Sequence, residues 1–147
     1  MSKSNAFEND LLLLIFNNTD IADIGDAAGI QGAATVGSLY LSLHTSDPGE
    51  AGTQSTNEIS YTGYGRVGLA RNGTNFVVTD NVMALGVNVD FGEMTAGAGG
   101  TATHFGVGVA SSGAAKMVYK GTLTPNISVV NGVIPRIKAT VSTITED

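Results

Sequence analysis

Ser38-Leu39-Tyr40-Leu41-Ser42-Leu43-His44 carries leucine at every second position, with polar or aromatic residues between. Strand side chains point alternately to the two faces of a sheet, so this spacing lays three leucines on one face. The same period returns at Met83, Leu85, Val87, Val89 and Phe91. It returns again at Phe105, Val107 and Val109, with Gly106 and Gly108 between them. Three separate period-two segments predict a sheet protein, and these eleven apolar residues are its expected core.

Further strands are expected at Arg66–Arg71, Asn75–Thr79, Lys116–Leu123, Ile127–Val130 and Val133–Ile144. The turns between them are marked by Asp47-Pro48-Gly49, Asn72-Gly73, Asp80-Asn81, Ser111-Ser112-Gly113 and Asn131-Gly132. Asn72-Gly73 is the strongest hairpin signal among them. Near the start, Asn5-Ala6-Phe7-Glu8 fits a capping box with Asn5 as N-cap and Glu8 reaching back to it. Phe7, Leu11, Leu14 and Ile15 then follow at helical spacing, and Asn17-Asn18 is the expected stop. Residues 19–37 are rich in Gly, Ala and Asp and read as a linker with one short helical turn near Ile21–Ile24. The expectation is a mainly β chain: a single antiparallel β-sandwich or jelly-roll-like domain of about eight strands at 38–147. A helix-and-linker arm at 1–37 precedes it.

Composition narrows the function classes. Of 147 residues, 42% are hydrophobic and 14% charged, a globular rather than a disordered balance. The 20 glycines follow no three-residue period, so they mark turns and close backbone approaches. With no cysteine, there is neither a disulfide framework nor a thiolate metal site. The apolar run Leu11–Phe16 is short, lacks a basic flank and follows Glu8 and Asp10, which fits neither a signal peptide nor a membrane span. Charge is uneven: one lysine stands against eight carboxylates in residues 1–60, whereas six cations meet five carboxylates in 61–147. Phosphate contacts require cations, and the net charge of −6 speaks against nucleic acid as a partner.

No reaction is written into the residues. A phosphate loop and a G-x-S-x-G elbow are missing from the sequence, and the glycine pairs at 97–100 and 106–108 lack the strand–turn–helix setting that a dinucleotide fold demands. Asp20, Asp23 and Asp26 lack the alternate spacing and closing Glu of a calcium loop. His44 and His104 fall on the polar faces of their strands, where they could meet and enlist Asp47 or Glu50 for a metal. Hydrogen-bonded or solvent-facing histidines explain them better, because metal sites need three or four ligands of defined geometry. Asp90 and Glu93 read as a solvated strand end rather than a carboxylate pair. The expectation is therefore a non-enzyme with no catalytic, cofactor or metal site. Contact residues are expected instead: Tyr61, Tyr64 and Arg66 beside a contact loop at 50–64, because Tyr and Arg combine large area with a polar handle. Phe7, Leu11 and Ile15 on the terminal helix are the other expected contacts.

Leu39-Tyr40-Leu41-Ser42-Leu43-His44-Thr45-Ser46-Asp47-Pro48-Gly49-Glu50-Ala51-Gly52 is distinctive, and it continues into Glu58-Ile59-Ser60-Tyr61-Thr62-Gly63-Tyr64-Gly65-Arg66-Val67. With Phe7-Glu8-Asn9 and the closing Ile144-Thr145-Glu146-Asp147, the chain resembles, over nearly its full length, a family of small tailed-phage structural proteins. That resemblance implies a virion protein assembled in the host cytoplasm, with no membrane partner and no catalytic residue to carry over. Two placements follow from it. One is a homo-oligomeric capsid cement or decoration protein that bridges copies of the major capsid protein, favoured by a short chain without repeats. The other is a tail-fibre or tail-tip component involved in host adsorption.

Overall fold

The computed structural model describes residues 2–147. Among them the chain forms one helix, α1 (Asn5–Asn17), and nine strands: β1 (Ser38–His44), β2 (Val67–Ala70), β3 (Phe76–Thr79), β4 (Val82–Leu85), β5 (Val89–Asp90), β6 (Gly100–Gly108), β7 (Met117–Val129), β8 (Arg136–Ile137) and β9 (Thr143–Thr145). They build antiparallel sheets of order β2-β1-β6-β7, β3-β4-β9 and β5-β8, the mainly β, sandwich-like class expected. No helix among the described residues is long and apolar enough to cross a membrane.

The chain divides into two compact units, each discontinuous in sequence. One contains the chain up to Ser38, Ala70–Asn88 and Lys138–Asp147. Its helix starts one residue earlier than the sequence suggests: Ser4, not Asn5, is the N-cap, and its hydroxyl accepts from the Phe7 N–H. The buried stripe is Glu8, Leu12 and Phe16, whereas Phe7, Leu11, Leu14 and Ile15 are half-buried. Asn18, at φ 59°, ends the helix as expected, by adopting the left-handed conformation that asparagine tolerates. No basic residue lies in the last turn. Arg71 supplies the missing cation from far along the chain, donating to the carbonyls of Leu14 and Ile15 that the helix itself cannot pair. Phe16 packs on Phe76 of β3 with ring centroids 5.1 Å apart.

The two-residue turn Asp80-Asn81 joins β3 to β4, with Thr79 opposite Val82 and Asp80 at φ 53°. β9 extends this sheet through Met83 opposite Ile144. Residues 18–33 are more ordered than a linker, and no helical turn forms at 21–24. Asn18 exchanges two hydrogen bonds of 2.8 Å with Ala33, Asp20 accepts from the Gly32 N–H, and Ile21 pairs with Ile30.

The other unit holds Leu39–Leu69 and Val89–Ile137. β1 pairs with β6 so that Leu41 faces Val107, Ser42 faces Gly106 and His44 faces His104. Glycines here are fitted to their neighbours. A Cβ on Gly108 would come within 2.0 Å of the Gln54 side chain, and one on Gly106 within 2.8 Å of the His44 ring. β7 continues across both segments read as separate strands, Lys116–Leu123 and Ile127–Val130. Pro125, which has no N–H to offer, falls where the β6–β7 ladder shifts register between Ala102 and His104.

Several expected elements differ for local reasons. The nine-residue alternation from Met83 to Phe91 is split into β4 and β5. At Gly86 the N–H turns to Asn75 O, and a Cβ would sit 2.0 Å from Thr74 O. The predicted Val133–Ile144 strand is likewise two short ones, β8 and β9. Asn72-Gly73 and Asn131-Gly132 do form turns, but β2 and β3 lie in different sheets, as do β7 and β8. Of the expected core, Leu39, Leu41, Leu43, Met83, Leu85, Val89, Phe91 and Val107 are buried. Val87 and Phe105 are half-buried, and Val109, one residue past the end of β6, is exposed.

Candidate functional site

The most developed polar arrangement lies where the segment after β1 folds back on the β1–β6 sheet. Ser42 and His44 occupy one face of β1 by alternation, and both are fully buried rather than solvent-facing. The His44 ring is held at both nitrogens, with Nδ1 2.9 Å from Thr56 O and Nε2 2.9 Å from Ser42 Oγ. A carbonyl only accepts, so the Nδ1 position carries the proton and Nε2 accepts from the serine hydroxyl. Burial pushes the His44 pKa below the ordinary histidine value, against the opposing pull of Thr56 O and Glu58.

Gln54, also fully buried, fills the space above Gly108. Its amide donates to Tyr40 O at 3.1 Å and accepts from the Ala110 N–H at 3.1 Å. Beside it, Arg66 grips Glu58 with two parallel bonds of 2.7 Å. The same guanidinium donates to Ala110 O, Gly113 O and Ser55 Oγ, and its side chain is only 2% exposed. This pairing is fork to fork, the strongest geometry available to a carboxylate. Tyr64 completes the cluster: its hydroxyl donates to Glu58 Oε1 at 2.9 Å and accepts from the Leu43 N–H. Burial pushes the Tyr64 hydroxyl far above the ordinary phenol range, so it stays a donor at any accessible pH. Tyr61 is buried beside Tyr64, with its hydroxyl on Gly92 O at 2.8 Å.

The structure thus brings Tyr61, Tyr64 and Arg66 together, but on intramolecular partners, where they brace loop 50–64 from beneath. Phe7, Leu11 and Ile15 lie in the other unit, at i, i+4 and i+8 on the half-buried side of α1. What loop 50–64 presents outward is small and polar: Glu50, Ser55, Asn57, Ser60 and Thr62 are exposed. Nearby, Lys120 of β7 bridges Asp47 at 3.0 Å and Glu50 at 3.1 Å. The Gly49 N–H and then Lys120 hold the Asp47 pKa below the usual carboxylate range. A cleft of about 290 Å³ opens there, lined by Gly49, Glu50, Gly52 and Met117–Lys120.

Sequence reading offered His44 as hydrogen-bonded or solvent-facing, of which the structure shows the first, and it passed over Ser42 and Gln54. The signal for Ser42 and His44 was present, since period-two spacing places them on one face, but burial of that face depends on a loop folding over it. Chemically, Ser42 and His44 make a nucleophile–base contact, yet neither can meet a substrate at zero exposure. The orienting group is a backbone carbonyl rather than a carboxylate. His44 and His104 do meet in register, but both His44 nitrogens are engaged. Among the described residues no three His, Cys, Asp or Glu side chains are grouped to hold a metal.

Among curated proteins, none matches this sequence significantly. A family profile does, and it spans residues 2–145. The chain therefore belongs to the family described as podophage GP4 fiber I protein gp80, a family of phage virion structural proteins.

Proposed function

We propose that this protein is a fibre component of a podophage virion, acting in host adsorption by presenting a braced protein surface, and that it contributes no chemistry. The observation that carries the reading is the family match over residues 2–145, whose description names a fibre. It favours the tail-fibre placement over the capsid cement role, and it moves the expected partner from the major capsid protein to other fibre chains, including copies of this one. The buried Glu58–Arg66–Tyr64 cluster supports the reading, because a loop held by charge-assisted bonds from below keeps its outward residues in one arrangement. The acidic balance supports a partner other than nucleic acid.

Particles lacking the protein test this directly. They are expected to retain their DNA on heating as wild-type particles do, but to adsorb poorly to cells, with adsorption restored by added purified protein. Depleted particles that adsorb normally but lose DNA at lower temperature would instead establish the cement role.

A further inference from the structure

One turn of this chain is flanked by aliphatic side chains where turns usually carry polar ones. Val130-Asn131-Gly132-Val133 closes with the Val133 N–H on Val130 O at 3.0 Å, and Gly132 at φ 82° supplies the left-handed residue. Met94, itself buried, braces the turn twice. Its carbonyl accepts from the Gly132 N–H at 2.8 Å, and its N–H donates to Val133 O at 3.0 Å. Val130 and Ile134 flank the braced tip, and each is 54% exposed. Single exposed apolar residues are ordinary on a surface, but two on one held turn form a knob.

A concave counterpart lies at the other end of β7. The cleft of about 290 Å³ between Gly49–Gly52 and the start of β7 mixes Met117 and Val118 with glycine backbone. A cavity of ~150 Å³ admits a benzene-sized group, so this cleft has room for two branched side chains. Met117 lies opposite Gly108 of β6, and Val129 lies opposite Gly100. The β6 residues from Gly100 to Gly108 therefore separate knob from cleft, a span of roughly 26 Å. Charge favours a match between the two ends. Glu93, next to the bracing Met94, and Lys116, next to Met117, are both exposed, and among the described residues neither is in an ion pair. Copies that each carry a net charge of −6 repel one another except where such opposite charges meet.

We propose that copies of this chain associate head to tail, with the Val130–Ile134 knob of one copy entering the cleft between Gly49–Gly52 and Met117–Lys120 of the next. A knob and a hole at different places on one chain make a heterologous contact, which runs on as a row or closes as a ring. Knob against knob buries little, because both surfaces are convex. Two side chains and a polar rim make a weak contact in solution, and repetition within an assembly strengthens it through effective concentration. The proposal builds on the fibre reading by making a copy of the chain the partner, but its test reads self-association and not adsorption.

Sedimentation velocity and NMR of the full chain, from about 10 μM to about 1 mM, provide that test. Average mass is expected to climb without levelling at a dimer, and shifts are expected to move together at residues 130–134, 49–52 and 117–120. Changing both exposed side chains, Val130→Asp with Ile134→Asp, is expected to weaken association about tenfold or more and leave the fold unchanged. Val118→Glu is expected to block the cleft with the same loss. Each variant alone then stays monomeric, whereas an equimolar mixture forms a heterodimer and nothing longer, since one intact knob meets one intact cleft. A wild-type protein that is monomeric throughout overturns the proposal, as does a plateau at the dimer or a Val118→Glu protein that still self-associates. Should Val118→Glu not fold, the wild type decides by its shifts: movement at the knob without movement at the cleft overturns it.

Discussion

Replacing Arg66 with alanine is expected to cost about 3–5 kcal/mol of stability, the range for breaking a buried ion pair by removing one partner. The alanine leaves the Glu58 carboxylate with the Tyr64 hydroxyl but without its two guanidinium bonds, and it also strips donors from Ala110 O, Gly113 O and Ser55 Oγ. Arg136 provides the control. It makes the same two-bonded contact with Asp90, but the pair is 50% and 44% exposed, where water replaces whatever the mutation removes. Urea unfolding of the two variants gives the comparison: a large midpoint shift at unchanged slope for Arg66→Ala, and none detectable for Arg136→Ala. Equal shifts would show that the buried cluster does not hold the fold together.

Leu85→Asp is expected to unfold the unit that contains it. Leu85 is 4% exposed and stands opposite Phe76, which is itself fully buried against Phe16. Losing a buried leucine costs about 2–5 kcal/mol before the aspartate is considered. Burying an unpaired carboxylate adds several more, against a total stability of order 5–15 kcal/mol for a typical domain. Val77→Asp, one position along β3 and 44% exposed, is expected to fold normally. Amide dispersion in an NMR spectrum separates the outcomes. A folded Leu85→Asp protein with unchanged melting temperature would remove Leu85 from the core.

Much of this fold is legible because period-two alternation reports the face of a strand directly. Leu39, Leu41 and Leu43 follow that rule, and so do Met83, Leu85 and Val89. The rule says nothing about where a sheet ends. Gly86 diverts the chain by bonding Asn75 O, a non-local contact that leaves no periodic trace, and so one apparent strand becomes two. Turn chemistry has a similar limit: Asn72-Gly73 encodes a reversal, but not which strands the reversal pairs. For the site, Tyr61, Tyr64 and Arg66 stand out by residue type, while their direction, inward rather than outward, depends on Glu58 and on carbonyls 44 and 47 residues away from Arg66. Ser42 and Gln54, and the burial of His44, were hidden for a related reason. Polar residues alternating with leucine look solvated unless the loop that covers them is known.

The central claim, that this fold serves in a virion fibre, is most directly tested by an asymmetric cryo-electron-microscopy map of the whole particle. The account predicts that density for the four-stranded β2-β1-β6-β7 sheet, with the Gln54-bearing loop across it, is found in a fibre attached to the tail. The same density repeated over the capsid lattice, with none in the fibres, would contradict it.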